Sequence, residues 1–314
     1  MSLDIVDIPT ITIILQAYSQ GYSMTHVLTL ISNAADAAIS VEIKEKYENK
    51  LKASTSNWLN ENVALDIFFE GDVSNDLTTA LNKEAFDFAI QEVATRRKKL
   101  LVADMDSTII CCECIDELAD FIGIKDKVSH ITEAAMRGEI DFKGALKERV
   151  ALLKGLKVAD LDQVFNERVK LNPGALTLVK TMNANGANTV LVSGGFTYFT
   201  ARVSELTGFK VNRANILLHK NGDLTGGVGE PIVDSDTKIN SLREFQRTDT
   251  LETHQIIAVG DGANDIPMLE GAGIGVGYHP YPAVTQVADV VINHGDLTAL
   301  LYMQGYLISD FVDS

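Results

Sequence analysis

Two aspartates, Asp104 and Asp106, stand just past the apolar run Leu100–Ala103. Ser193-Gly194-Gly195 closes a second apolar run, Thr189–Val192. A third run, Ile256–Val259, leads into Gly260-Asp261-Gly262, with Asn264 and Asp265 close behind and Lys238 upstream. If Asp104 projects from a strand end, its carboxylate is a nucleophile. Asp106, a short step along the loop, can then act as general acid and afterwards as base. A carboxylate attacks a phosphate dianion poorly unless charge is neutralised. A hard cation held by Asp104 and Asp261 would neutralise it, and oxygen ligands favour Mg²⁺. Lys238 would balance the remaining charge, and Asp265 would support the site. Ser193, Gly194 and the N–H groups after them would hold phosphate oxygens at a helix start.

Each motif alone has a plainer reading. A D-x-D is commonly a solvated turn, Gly-rich triplets are tight turns, and a single lysine is commonly a surface residue. A calcium-loop reading of Asp104-x-Asp106-x-Thr108 fails, because Ile109 stands where the loop needs glycine and Ile115 where it needs glutamate. Joint placement at strand ends is what favours a phosphoryl-transfer site. Cys111, Cys112 and Cys114 are the only cysteines. They lack the second pair a zinc site needs and form no disulfide framework, so reduced thiols in a cytoplasmic protein are expected. Gly271, Gly273, Gly275 and Gly277 lack dinucleotide-binding spacing.

Strands must bring these residues together. Apolar runs alternating with helical stretches predict an α/β core, a doubly wound parallel sheet whose ligand sits at the carboxyl ends of its strands. Val290–Ile292 adds a strand, and Asn221-Gly222 signals a hairpin. Asn172 reads as an N-cap with Pro173 at the first helical position, and Gly186 as the stop. A helix through Val203 and Leu206 ends at Gly208. Residues 114–170 show only helical periodicity, which predicts a helical lid inserted after the first strand. Ahead of residue 96 the texture differs. Thr10–Leu15 and Ala64–Phe69 read as strands, and Val27–Ile39 reads as a helix. Leu77, Leu81, Ala85 and Phe88 recur at helical spacing. Residues 1–95 are expected to form a small α+β domain and residues 96–314 the domain that carries the phosphoryl-transfer site. Arg96-Arg97-Lys98-Lys99 between them reads as a solvated linker.

Composition agrees with a globular enzyme. The 314 residues are 46% hydrophobic and 22% charged, and suit two domains at about 150 residues each. The net charge of −16 disfavours nucleic-acid binding. No apolar run reaches the roughly 18 residues of a membrane span, and Met1-Ser2-Leu3-Asp4 carries no signal-peptide core.

Asp104-Met105-Asp106-Ser107-Thr108, Ser193-Gly194-Gly195, Lys238 and Gly260-Asp261-Gly262-Ala263-Asn264-Asp265 resemble the four motifs of the haloacid-dehalogenase-like phosphatases, in the same order. The resemblance spans about residues 98–300 and is similar in detail to the phosphoserine phosphatase branch. Glu113 matches that branch's lid glutamate. Arg149, in Glu148-Arg149-Val150-Ala151-Leu152-Leu153-Lys154, matches its lid arginine. Ala135-Met136-Arg137-Gly138 and Phe142 look like its lid. The resemblance implies a phosphoserine substrate, with Glu113 on the ammonium, Arg149 on the carboxylate and Asn264 on the substrate. It implies an aspartyl phosphate on Asp104, and Lys238 serving both catalysis and substrate binding. Residues 1–95 would be a regulatory-type, ACT-like domain, and a homodimer is compatible with the reading. Another small phosphomonoester, a phosphotransferase, or a phospho-accepting receiver are the alternatives.

Overall fold

Described for residues 25–136 and 140–312, the computed structural model opens on β1 (His26–Ile31), α1 (Val41–Leu51), β2 (Thr55–Asn60), β3 (Ala64–Phe69), α2 (Asn75–Leu81) and β4 (Asp87–Glu92). Thr10–Leu15, Arg137 and Gly138 lie outside the described residues. The four strands pair antiparallel in the order β2-β3-β1-β4, a split β-α-β arrangement. Alternation sorts its side chains. Leu28, Leu30, Leu65 and Ile67 pack with Tyr47, Leu77 and Leu81 of the two helices. Ile31 and Ala64 turn the other way, into a cluster shared with Leu297, Leu300 and Tyr302.

This two-sided burial explains two departures from the sequence reading. Val27–Ile39 is no helix: β1 occupies Val27–Ile31, and both of its faces are covered, Thr29 included, so the strand shows no alternation of buried and exposed residues. A short apolar run does not distinguish such a strand from a buried helix. Leu77 and Leu81 do lie on α2, but that helix stops at Asn82, and Phe88 belongs to β4.

The basic run is no solvated linker either. Arg96 is 2% exposed, and its Nη1 lies 2.7 Å from Asp66 Oδ2. Arg97 stacks on Tyr306, 3.5 Å from the ring centre, and Lys98 donates to the carbonyls of Thr95 and His254. Asp87, at the start of β4, accepts the N–H groups of Asn293, His294 and Gly295 at 2.7–3.2 Å. The first sheet is therefore seated against residues 293–306.

From residue 100 the chain builds a six-stranded parallel sheet. Its strands are β5 (Leu100–Ala103), β6 (Asn188–Phe196), β7 (Val211–Asn215), β10 (Ile256–Gly260), β11 (Ile274–Tyr278) and β12 (Val290–Ile292), in the order β12-β11-β10-β5-β6-β7. Between them, β8 (Leu217–Lys220) and β9 (Asp223–Val228) form the expected hairpin, with Asn221 and Gly222 at φ 55° and 92°. Leu101 and Ala103 face one apolar layer while Leu100 and Val102 face the other, as a sheet covered on both sides requires. After β5 the chain runs outward through β6 and β7. It then returns to β10 beside β5 and proceeds the other way. The carboxyl ends of β5 and β10 thus flank the point where the winding reverses, the ligand position in such sheets.

The insert after β5 is helical as expected, with α3 (Cys114–Phe121), α4 (Lys125–Met136), α5 (Phe142–Ala151) and α6 (Val158–Arg168). It is followed by α7 (Ala175–Ala184), whose N-cap is Gly174 at φ 79° rather than Asn172. α8 (Thr197–Thr207) closes at Gly208, also left-handed, and α9 (Ser235–Thr248) carries Lys238.

Candidate active site

The end of β5 puts Asp104 beside β10, with its N–H on the carbonyl of Val259 at 3.0 Å. Asp104, Asp261 and Asp265 bring carboxylate oxygens within 4.8 Å of one another, and all three are buried. Lys238 reaches them from α9, 2.8 Å from Asp104 Oδ1 and 2.7 Å from Asp265 Oδ1. Asp265 is committed: its other oxygen accepts the N–H groups of Asp261 and Gly262 at 3.2 and 3.1 Å. The backbone must come close for this, and a Cβ at Gly260 would overlap the Asp265 carboxyl. Thr108 Oγ1 donates to Asp261 Oδ1 at 3.0 Å.

Three carboxylates around one ammonium leave an excess of negative charge out of water. Burial and the neighbouring Asp265 lift the Asp104 carboxyl well above its usual range, with Lys238 opposing. Burial and Asp265 push Asp261 up to about 6. Burial alone would lower Lys238, but Asp104 and Asp265 hold it above its ordinary value. A divalent cation fits this all-oxygen cluster, because it would supply the missing positive charge. With Asp265 engaged on Lys238 and two amides, Asp104 and Asp261 are the carboxylates left to face it.

Asp106 points toward β6. Its Oδ1 accepts the N–H of Cys114 at 2.8 Å and its Oδ2 accepts Ser193 Oγ at 2.9 Å. Ser193 Oγ in turn accepts the N–H of Gly195 at 2.8 Å. Glycine is needed at 195, since a Cβ there would lie 2.5 Å from Asp106 Oδ2. β6 runs on through these residues to Phe196, with a break in register after Val192 that turns the Ser-Gly-Gly edge into the site.

The lid closes over a cavity of about 560 Å³. Asp104, Asp106, Ser193, Gly194, Asp261 and Asn264 line it from the sheet side, and Glu113 and Arg149 from the lid side. Ser107 Oγ donates to Glu113 Oε1 at 2.7 Å. Burial, then the charge of Asp106, push Glu113 up to about 8. Arg149 Nε donates to the carbonyl of Ala145 at 3.3 Å and Nη1 to Thr132 Oγ1 at 3.4 Å. Burial lowers Arg149 from its usual range. The Phe142 ring stands over Gly194, 3.1 Å from where a Cβ would be. Phe142 is thus a wall of the cavity as well as lid packing.

The site residues singled out in sequence converge here, and all of them line the cavity except Lys238 and Asp265, which are fully buried beside Asp104. That position suits charge balance rather than contact with substrate. The sequence reading missed Asp116, Thr132 and Tyr281, which also line the cavity. Asp116 was detectable: it lies in the first turn of α3, three residues after Glu113, the N-cap of that helix. The cysteines are free. Cys111 is exposed and Cys114 buried, and burial pushes the Cys112 thiol up to about 12. Among the described residues no helix is long and apolar enough to cross a membrane.

Known proteins are similar to this chain in sequence and fold. The sequence pattern of the haloacid dehalogenase-like hydrolases matches residues 101–270. A phosphoserine phosphatase of Polaromonas sp. is 49% identical over 208 residues, which cover 65% of this chain and 88% of that protein. The structure of a probable phosphoserine phosphatase from Vibrio cholerae, in unliganded form, is similar with a TM-score of 0.72 and 29% identity, over 91% of this chain and 88% of that one. A structure of a phospho-aspartyl intermediate analogue of phosphoserine phosphatase is similar with a TM-score of 0.61 and 34% identity, over 65% of this chain and 98% of that one.

Proposed function

The chain belongs to the haloacid dehalogenase-like hydrolases, and from that premise we propose that it hydrolyses O-phosphoserine to serine and phosphate, with Mg²⁺ as cofactor. The observation that carries this reading is the cavity's polarity: two acids, Glu113 and Asp116, and one cation, Arg149, face it from the lid, opposite Asp104. Phosphoserine offers an ammonium, a carboxylate and a phosphate to match. The guanidinium fork suits the carboxylate, and the Glu113 carboxylate suits the ammonium.

Asp104 attacks phosphorus, forming an acyl phosphate as the ester P–O bond breaks. Asp106 gives its proton to the departing serine oxygen. It then takes a proton from the water that hydrolyses the acyl phosphate. Cys114 N–H and Ser193 Oγ fix the Asp106 carboxyl for both steps. Ser193, Gly194 and Asn264 hold phosphate oxygens. Lys238, from behind, keeps Asp104 and Asp265 in place and offsets part of their charge. Asp104, the Asp106 carbonyl and Asp261 would hold Mg²⁺, which would supply the charge neutralisation that lets a carboxylate approach a phosphate dianion. Phe142 over Gly194 excludes water from the reacting centre.

Residues 25–92 we read as a regulatory-type α+β region, supported by the split β-α-β order of their strands. Turnover followed during titration with serine and other amino acids tests that part. The catalytic reading is tested by Arg149→Ala. With the substrate carboxylate unpaired under the lid, the loss is roughly 2 kcal/mol or more, so kcat/KM for phosphoserine should fall about 30-fold. An aryl phosphate, which has no carboxylate, should lose far less. Proportionate loss on both substrates would assign Arg149 to the phosphate or to lid folding, and remove the ground for phosphoserine. A panel with phosphothreonine and phosphoethanolamine, with and without Mg²⁺, completes the comparison.

A further inference from the structure

The lid leaves the core just after the catalytic loop and returns to it at residue 171. Its two stems are stitched together. Cys111 N–H donates to the carbonyl of Lys170 at 2.9 Å, Asn172 N–H to that of Ile109 at 2.9 Å, and Ile110 bridges Leu171. At this junction lies the side chain of Asn172. Its Nδ2 is 2.8 Å from the carbonyl oxygen of Thr108, 3.1 Å from that of Ile110 and 3.4 Å from that of Ser107. An amide nitrogen has two hydrogens, so three carbonyls gather around one donor group.

Residues 107–110 hold this shape in part through their own backbone, with the N–H groups of Ile109 and Ile110 on the carbonyl of Met105 at 2.9 and 3.0 Å, and the Asn172 amide ties down the carbonyls that face the other way. Ser107 has φ 56°, in the left-handed region that side chains rarely adopt, and such a conformation persists where surroundings over-determine it. The loop also carries two side chains with separate tasks. Ser107 Oγ donates to Glu113, and Thr108 Oγ1 donates to Asp261. One of these carboxylates is at the lid end of the cavity and the other at its charged floor.

We infer that Asn172 is a positioning residue: its amide fixes the 107–110 loop and through it aims both Glu113 and Asp261. It touches neither substrate nor cation. The Glu113 branch rests on the phosphoserine reading given above. The Asp261 branch does not, so the two are measured separately.

The test uses the full chain with Asn172→Ala and Asn172→Ser, the latter retaining one donor. Calorimetric titration of substrate-free protein with Mg²⁺ should show affinity reduced several-fold by Asn172→Ala and partly restored by Asn172→Ser. In turnover, Asn172→Ala should raise KM for phosphoserine about 10-fold, and KM for an aryl phosphate less. Ser107→Ala combined with Asn172→Ala should raise the phosphoserine KM by less than the product of the single effects, because both act through the same hydrogen bond to Glu113. Unchanged Mg²⁺ affinity with multiplicative KM effects would overturn the assignment. So would equal loss on both substrates with normal Mg²⁺ binding, which would leave Asn172 a plain staple of the lid stems. Should Asn172→Ala fail to fold, Asn172→Ser alone decides by the same titration and the same KM comparison. Should wild-type protein not hydrolyse phosphoserine, the phosphoserine reading fails and the Mg²⁺ titration still judges Asn172.

Discussion

Two places in this chain bury aspartate against a cation, and their charge counts differ. Beside the first sheet, Asp66 and Arg96 meet one to one at 2.7 Å, and Thr29 Oγ1 donates to the remaining oxygen of Asp66 at 2.7 Å. At the ends of β5 and β10, three buried carboxylates cluster with one ammonium, that of Lys238, which pairs with Asp104 and Asp265 and leaves Asp261 without a cation. The first cluster is electrically closed and holds parts of the chain together. The second is open, and its surplus of negative charge is an attraction reserved for something that binds. A buried charge that is balanced within the fold reads as structure, and one left unbalanced reads as a site.

Substituting one member of each cluster sharpens the contrast. Asp104→Asn removes the proposed nucleophile and relieves repulsion at once. Phosphate release should fall by about 10⁴-fold or more, on the scale seen when an enzyme loses its nucleophile, while the melting temperature holds or rises. Activity above about a hundredth of wild type would deny Asp104 that role. Arg96→Met should do the reverse. It strands Asp66 without its partner and should cost about 3–5 kcal/mol of stability in urea denaturation, with kcat/KM per folded molecule nearly unchanged. A loss below about 1 kcal/mol would mean that water reaches the pair. The smallest effect concerns Glu113, pushed up to about 8 by burial and Asp106. Below that value the free enzyme holds Glu113 neutral, so its pull on a substrate ammonium is present above pH 8 and fades as pH falls. KM for phosphoserine should rise several-fold from pH 8.5 to pH 7, KM for an aryl phosphate should stay flat, and Glu113→Gln should abolish the difference. A parallel rise for both substrates would place the titration elsewhere.

The open cluster was more legible in sequence than the closed one, and for a physical reason. Asp104, Ser193 and Asp261 each follow a short apolar run, and in a parallel sheet such runs end on one edge. Their convergence therefore follows from local pattern. Asp66 and Arg96 are 30 residues apart with no pattern between them, and only the pairing of β3 and β4 with β1 in the first sheet brings them together. Arg96 and its basic neighbours accordingly read as a linker, though Arg96 and Lys98 are buried. Val27–Ile31 misled for a related reason: covered on both sides, β1 loses the alternation that would have marked it as a strand. Asn172 was noticed as a helix cap. Its side chain instead serves a loop more than 60 residues earlier, a partner that spacing cannot announce.

The seating of the first sheet on residues 293–306 also bears on where this chain can be cut. Ile31 and Ala64 share one apolar cluster with Leu297, Leu300, Leu301 and Tyr302, so the seam between the sheets is oily rather than a loose tether. A fragment beginning near residue 96 would carry Leu300 and Leu301 bare into water. It would also lose Asp87 from the amides of Asn293, His294 and Gly295. An expression plasmid for the parallel-sheet half alone would need polar replacements along that seam before its product stayed in solution.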